Sequence, residues 1–336
     1  MAESTESNEQ TTPTPAATPA AAASSTSSAA SAATTLSAFS DELANVVQQA
    51  SRSIVTIAAR PRQSATGILW REGDQTIVLT ADHVVEREDD ITVTLPDGRE
   101  TKGQLIGRDP GTDLAAIRLS GVELGDGSAP ATVGEGLRVG NLVIAIGRPG
   151  SDGPRVSFGA VSALDGPRRS WQGSEIEGVI YADVTLYPGF SGGPLVDLAG
   201  HVVGLNSSHL TRHSSSAIPV ATLRRVANTL LTHGRVRRGY LGVGTQQAQL
   251  PAALAQKAGL TQETALLVIN VESGSPAEQG GLLLGDLIVS LGGQPVSDAD
   301  GLRAQLGGDK VGQPLTVKIL RGGEPRDLTI TVGERK

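Results

Sequence analysis

The sequence predicts a mainly β protein: two antiparallel barrels, then a separate α+β module of about ninety residues. Three observations lead there. Strand-like runs of Val, Ile and Leu fall into two consecutive series with no helix alternating between them, which argues against a parallel sheet. The 42 glycines in 336 residues supply many tight turns. One amphipathic helix and a basic stretch then separate the second series from a new strand-bearing segment.

Taken in order, residues 1–40 are almost entirely Ala, Ser, Thr, Pro and Glu. Such a segment has too little apolar surface to offset chain entropy and is expected to be disordered. In DELANVVQQA, Leu43, Val46 and Val47 share one helical face. Strands follow at Ser53–Ile57, Gly67–Trp70, Thr76–Thr80, Ile91–Leu95 and Leu114–Leu119, with Pro96-Asp97-Gly98 as a hairpin turn. A second series covers Leu142–Ile146, Arg155–Ala163, Val179–Ala182, Leu195–Asp197, Val202–Asn206 and Ala217–Val220. Ala221–Leu231 reads as a helix with Leu223, Val226, Ala227, Leu230 and Leu231 on its apolar side. Residues 41–231 thus form the two-barrel domain, 232–239 a basic linker, and 240–336 the last module. That module has strands at Ala265–Val271, Leu287–Leu291, Leu315–Leu320 and Leu328–Val332, and helices from Gly274-Ser275-Pro276 and over Ser297–Leu306.

Composition excludes several classes. The net charge is −7 and the arginine clusters are small and scattered, so nucleic acid is a poor partner. The absence of cysteine removes disulfides, thiolate metal sites and a cysteine nucleophile. No run approaches the roughly 18 apolar residues of a membrane span. The first basic residue is Arg52, and no secretory leader pattern precedes it, which sets the expectation of a cytoplasmic protein or an export segment outside this chain.

The chemistry concentrates in Asp183–Gly204, DVTLYPGFSGGPLVDLAGHVVG. Its centre sets Ser191 among glycines between two apolar runs, as a nucleophile at a tight turn requires. Alone, this also fits a Gly-rich hairpin. Ser191 needs a base, and among five histidines His83 ends the apolar run IVLTADHVV, where it would face a cleft. Asp113, just before the strand Leu114–Leu119, is the best carboxylate to orient that imidazole. The chain order His, Asp, Ser matches one known solution of triad geometry.

With those residues in place, the chain resembles the HtrA/Deg-type serine proteases. The matching segments are TGILW, VLTADHVVE, RDPGTDLAAIRL, GNLVIAIGRPG, VSFGAVSAL, ADVTLYPGFSGGPLVDLAGHVVGLNS, SAIPV, RRGYLGV and ESGSPAEQGGLLLGDLIVSLGGQPV, which together cover nearly everything after residue 40. The resemblance implies a chymotrypsin-like double β-barrel followed by one PDZ domain. It implies His83 as general base and acid, Asp113 as its orienting carboxylate, Ser191 as nucleophile, and the N–H groups of Gly189 and Ser191 as the oxyanion hole. Tyr240, Leu241, Gly242 and Val243 match the PDZ carboxylate-binding loop, where a peptide C-terminus would add a strand to the sheet edge. The implied substrates are unfolded or misfolded proteins, degraded without ATP or any cofactor, and the implied assembly is a homotrimer with apolar residues such as Phe39 near the contact.

Three positions depart from the family. Phe190 replaces the usual Asn before the nucleophile and raises the question of a distorted site. SSHLTRHSSSAIPV is shorter and more polar than the family's Gly-rich loop, which leaves cleavage preference open. Asp82 stands where Ala or Asn is common, and a carboxylate there could perturb the imidazole. The main rival is a catalytically weak chaperone or scaffold that binds peptides through its PDZ domain, with Phe190 as its only support. Gly242-Val243-Gly244 opens like a dinucleotide fingerprint but lacks the third glycine and a βαβ unit. His209 and His213 have metal-ligand spacing in a segment without helical pattern, and no metal site is expected.

Overall fold

The computed structural model describes residues 23–334 apart from 62, 122, 151, 171–173 and 212–214. It divides between Asn45 and Val46 into a helical N-terminal unit and one larger unit. Helix α1 runs Ala23–Ala50, exposed from Thr34 through Glu42 and with Val46 and Ala50 buried. The expectation of disorder through residue 40 is therefore corrected for residues 23–40. Alanine has the highest helix propensity, and an apolar-poor composition does not by itself prevent a helix continuous with a docked segment. Residues 1–22 of that expectation lie outside the described residues.

The first barrel contains β1 (Ile54–Ala58), β2 (Ala65–Glu72), β3 (Gln75–Ala81), β4 (Ile91–Thr94), β5 (Glu100–Asp109) and β6 (Leu114–Leu119). Its order is β1-β2-β3-β6-β5-β4, closed by β4 on β1 with every pairing antiparallel. Strand β5 escapes a hydrophobicity reading because ETKGQLIGRD covers its partners with Gly, Thr and half-buried polar stems instead of alternating aliphatics. Ile54, Ile57, Ile68, Leu69, Leu79, Ile91 and Ile117 are fully buried, each contributing roughly 1.5–3 kcal/mol of burial.

The second barrel contains β7 (Leu142–Gly147), β8 (Arg155–Asp165), β11 (Val179–Ala182), β12 (Pro194–Val196), β13 (Val202–Ser207) and β14 (Ser216–Pro219). A short hairpin, β9 (Arg168–Arg169) with β10 (Glu175–Ile176), is inserted between β8 and β11. The barrel closes in the order β11-β14-β13-β12-β7-β8. Helix α2 (Val220–His233) buries Leu223, Val226, Ala227 and Leu230 and packs on strands of both barrels. It ends at Gly234, whose left-handed φ of 70° lets its N–H donate to the Leu230 carbonyl.

The last module contains β15 (Gly239–Tyr240), β16 (Val243–Gln249), α3 (Ala252–Lys257), β17 (Thr264–Val271), α4 (Pro276–Gln279), β18 (Leu287–Leu291), β19 (Gln294–Pro295), α5 (Ala299–Gln305), β20 (Pro314–Arg321), β21 (Glu324–Thr331) and β22 (Gly333–Glu334). Its main sheet runs β16-β17-β18-β20-β21, so β16 is an edge strand. Its core gathers Leu241, Leu266, Val268, Ile288, Val317 and Ile330. A dinucleotide fold is absent from this sheet: every pairing is antiparallel.

Candidate active site

Barrel register creates the first half of the site. Strands β3 and β6 are antiparallel with Ala81 opposite Leu114, so residues just after one and just before the other meet. The Asp82 N–H donates to the Asp113 carbonyl at 3.0 Å, and a single 3-10 turn, Asp82–Val84, then presents His83. Its Nδ1 lies 2.9 Å from both Asp113 oxygens, and its own N–H donates to Oδ1 at 3.0 Å. Asp113 has a left-handed φ of 57°, a conformation that Asp tolerates because its short polar side chain bonds locally.

Ser191 comes from the turn between β11 and β12. Gly192, at φ 87°, lies so close to β2 that a Cβ there would fall 2.0 Å from the Thr66 carbonyl oxygen. Only glycine fits. The turn is tied across the barrels, with the Thr66 hydroxyl donating to the Gly189 carbonyl at 2.6 Å and the Thr66 N–H donating to the Ser191 carbonyl at 3.3 Å. Within the turn, the N–H groups of Phe190, Gly192 and Gly193 donate to the carbonyls of Tyr187, Asn206 and Phe190. Among the described residues, those of Gly189 and Ser191 donate to no protein acceptor.

The end of strand β13 and the two residues after it make contacts that the sequence reading did not assign. The Ser207 hydroxyl donates to Asp113 Oδ2, completing that carboxylate's partners. Ser208 Oγ lies 3.1 Å from Ser191 Oγ, and its N–H points at the same oxygen at 3.4 Å. His209 stacks on His83 with ring centroids 3.7 Å apart and planes 24° apart. The only signal for these was the hydroxyl pair in LNSSH at the end of an apolar strand. The structure thus bonds His83 directly to Asp113, whereas Ser191 Oγ meets Ser208 and, among the described residues, makes no hydrogen bond to His83.

Two questions from the sequence are answered by geometry. Phe190 points away from the cleft. It is fully buried with Val143, Val161, Leu195 and Val203, edge-on to Tyr187 at 5.4 Å. Gly147 makes room for it, because a Cβ there would stand 2.5 Å from the ring. Asp82 turns its carboxylate to Arg108, with Nε 2.5 Å from Oδ1. Burial holds Asp82 above the ordinary carboxylate range, against the Arg108 bond and charge, with Asp113 and Asp109 adding to the rise. Of the set-aside metal pair, His209 is committed to the stack, and His213 lies outside the described residues.

The Tyr240–Val243 segment lies at the start of the last module. Leu241 is buried and anchors the Tyr240–Val243 segment, its carbonyl accepting from the Ala277 N–H at 2.8 Å. A cavity of about 570 Å³ lies over this loop, bounded by the edge strand β16 and by Ala299, Leu302 and Arg303 of α5. Its floor continues to Arg238 and to Arg169 of the barrel hairpin.

Two closed antiparallel barrels, followed by a separate sheet with β16 at its edge, are the architecture of a trypsin-like domain that carries a second module. Comparison with known proteins agrees: residues 65–205 match the trypsin-like peptidase domain and residues 239–332 the PDZ domain. A probable periplasmic serine endoprotease, DegP-like, of Pseudomonas fluorescens is 38% identical over 261 residues, covering 76% of this chain and 53% of that protein. Its counterpart in Halomonas elongata is 36% identical over 264 residues, covering 76% and 54%. The HtrA-type protease AlgW with a decapeptide superposes with a TM-score of 0.68 at 30% identity, covering 88% of this chain and 99% of that one. The serine endoprotease from Yersinia pestis superposes with a TM-score of 0.68 at 26% identity, over 87% and 97%. The chain belongs to the HtrA-type serine proteases. It spans about half the length of the curated relatives it matches.

The cytoplasmic expectation is overturned here. The relatives are named periplasmic, which points to an extracytoplasmic setting. A missing leader pattern is weak ground for a compartment, because a targeting segment is an address separate from the barrels and leaves no trace in their packing.

Proposed function

We propose that the protein is an ATP-independent serine endopeptidase that cleaves unfolded or misfolded polypeptide. The observation that carries this reading is the double contact of His83 Nδ1 with Asp113. Two carboxylate oxygens at 2.9 Å favour the tautomer with its proton on Nδ1 and leave Nε2 as a base. In this reading His83 takes the Ser191 proton as Oγ attacks the scissile carbonyl. The N–H groups of Gly189 and Ser191 receive the oxyanion. His83 then gives its proton to the leaving amine, and water releases the acyl group by the reverse sequence. No cofactor enters. Phe190, the residue that favoured a scaffold, lies in the barrel core and no longer supports it.

The groove beside Tyr240–Val243 is assigned to peptide C-termini, the carboxylate facing the loop and the chain extending along β16. Residues 41–231, 232–239 and 240–336 are the corresponding protease, linker and PDZ segments. We also propose a homotrimer, for which the exposed Leu36 and Phe39 offer apolar surface; light scattering would read its mass. The central test is degradation of casein without ATP by the purified protein and by Ser191→Ala. Loss of cleavage in the variant, together with fluorophosphonate labelling of Ser191, supports the reading. Equal cleavage by both proteins sinks it.

A further inference from the structure

We propose that His209 is a positioning residue for the general base, capping one face of the His83 ring so that its bond to Asp113 is kept. The inference rests on the protease reading above. Its basis is the stack, in which the two imidazoles are 3.7 Å apart and inclined by only 24°. His83 is tied to the protein along one edge, through Nδ1, and an imidazole held only there can still swing about χ1 and χ2. The His209 ring closes the open face. Its backbone is fixed in turn, since the N–H groups of His209 and Leu210 both donate to the Ser207 hydroxyl at 3.1 Å, the same hydroxyl that serves Asp113. One short segment, Ser207 at the end of β13 and the two residues that follow, thus bonds the carboxylate with Ser207, contacts the nucleophile with Ser208 and covers the base with His209.

The cap works as a neutral ring. Partial desolvation beside the His83 ring first, then the charges of His83 and Arg60, hold His209 below the ordinary histidine range, against the pull of Asp113. Asp82, Arg168 and Arg169 line the same cavity of about 440 Å³ next to the two rings. A neutral aromatic face against His83 also favours the imidazolium that forms during the reaction.

His209 is exposed, so substitution leaves the barrel core untouched. The experiment compares wild type, Ser191→Ala, His209→Ala and His209→Phe in steady-state cleavage of casein, with one-dimensional proton NMR of the hydrogen-bonded His83 Nδ1–H. His209→Ala is expected to lower kcat about tenfold with KM within about twofold, and to broaden that resonance by exchange with water. His209→Phe keeps the ring face and is expected to restore both. The inference is overturned if His209→Ala matches or exceeds wild-type kcat, or if His209→Phe loses as much as His209→Ala. Wild-type cleavage that persists in Ser191→Ala would instead defeat the protease reading itself.

Discussion

Asp109 and Asp113 stand at the two ends of one short loop between β5 and β6, and their environments assign them opposite tasks. Asp113, itself buried, meets an imidazole, a group that changes charge near neutrality. Asp109 is fully buried and meets Arg238, a permanent cation from the linker before the PDZ module. Ser174, Thr112 and the Gly111 N–H complete its partners. Four residues apart, one carboxylate bonds the His83 imidazole and the other ties the linker to the loop that carries the first. The difference lies in what each partner can do with a proton.

The largest effect should come from Asp113→Asn. Asn accepts the left-handed backbone and the Ser207 bond but favours the wrong imidazole tautomer, so kcat is expected to fall about ten-thousandfold with the melting temperature nearly unchanged. A matching loss of stability would break the contrast. Arg238→Met should behave in the opposite way. It leaves a buried carboxylate without its cation, at a cost of about 3–5 kcal/mol, or roughly 6–20 °C in melting temperature by calorimetry. Unchanged melting would show that Asp109 does not fasten the linker.

The same division separates Ser191 from Phe190. Phe190→Ala should destabilise by about 3–5 kcal/mol in denaturant titration while the folded fraction keeps its kcat. Gly147→Ala, which pushes a methyl into that ring, should cost about 1–3 kcal/mol, and less when combined with Phe190→Leu. A kcat that falls with either change would place Phe190 in the site instead of the core.

The smallest effect belongs to Asp82, the third carboxylate of the cluster. Because its folded value is raised, its contribution to stability is present below about pH 3.8 and is lost as pH rises through that folded value. Asp82→Asn should flatten stability over that window. With the carboxylate turned to Arg108, the acid limb of kcat/KM should move by only a few tenths of a pH unit. A larger movement would make Asp82 a partner of His83.

What the sequence supplied by itself was most of the barrel strands, helix α2 and the nomination of the three residues of the proposed triad. Apolar runs mark β3 and β6, and glycines mark the Ser191 turn, because local backbone demands are written in local residue types. Strand β5 was hidden, because its burial depends on a barrel closing around half-polar residues. Tertiary structure alone decided the remainder. Pleat and register brought His83 to Asp113, and the meeting of two barrels brought the β13 terminus, with Ser207, Ser208 and His209, to both. It also decided which way Phe190 faces and which partner each of three neighbouring carboxylates receives: Arg108 for Asp82, Arg238 for Asp109 and the His83 imidazole for Asp113. Those are distances between residues far apart in the chain, and periodicity carries no record of them.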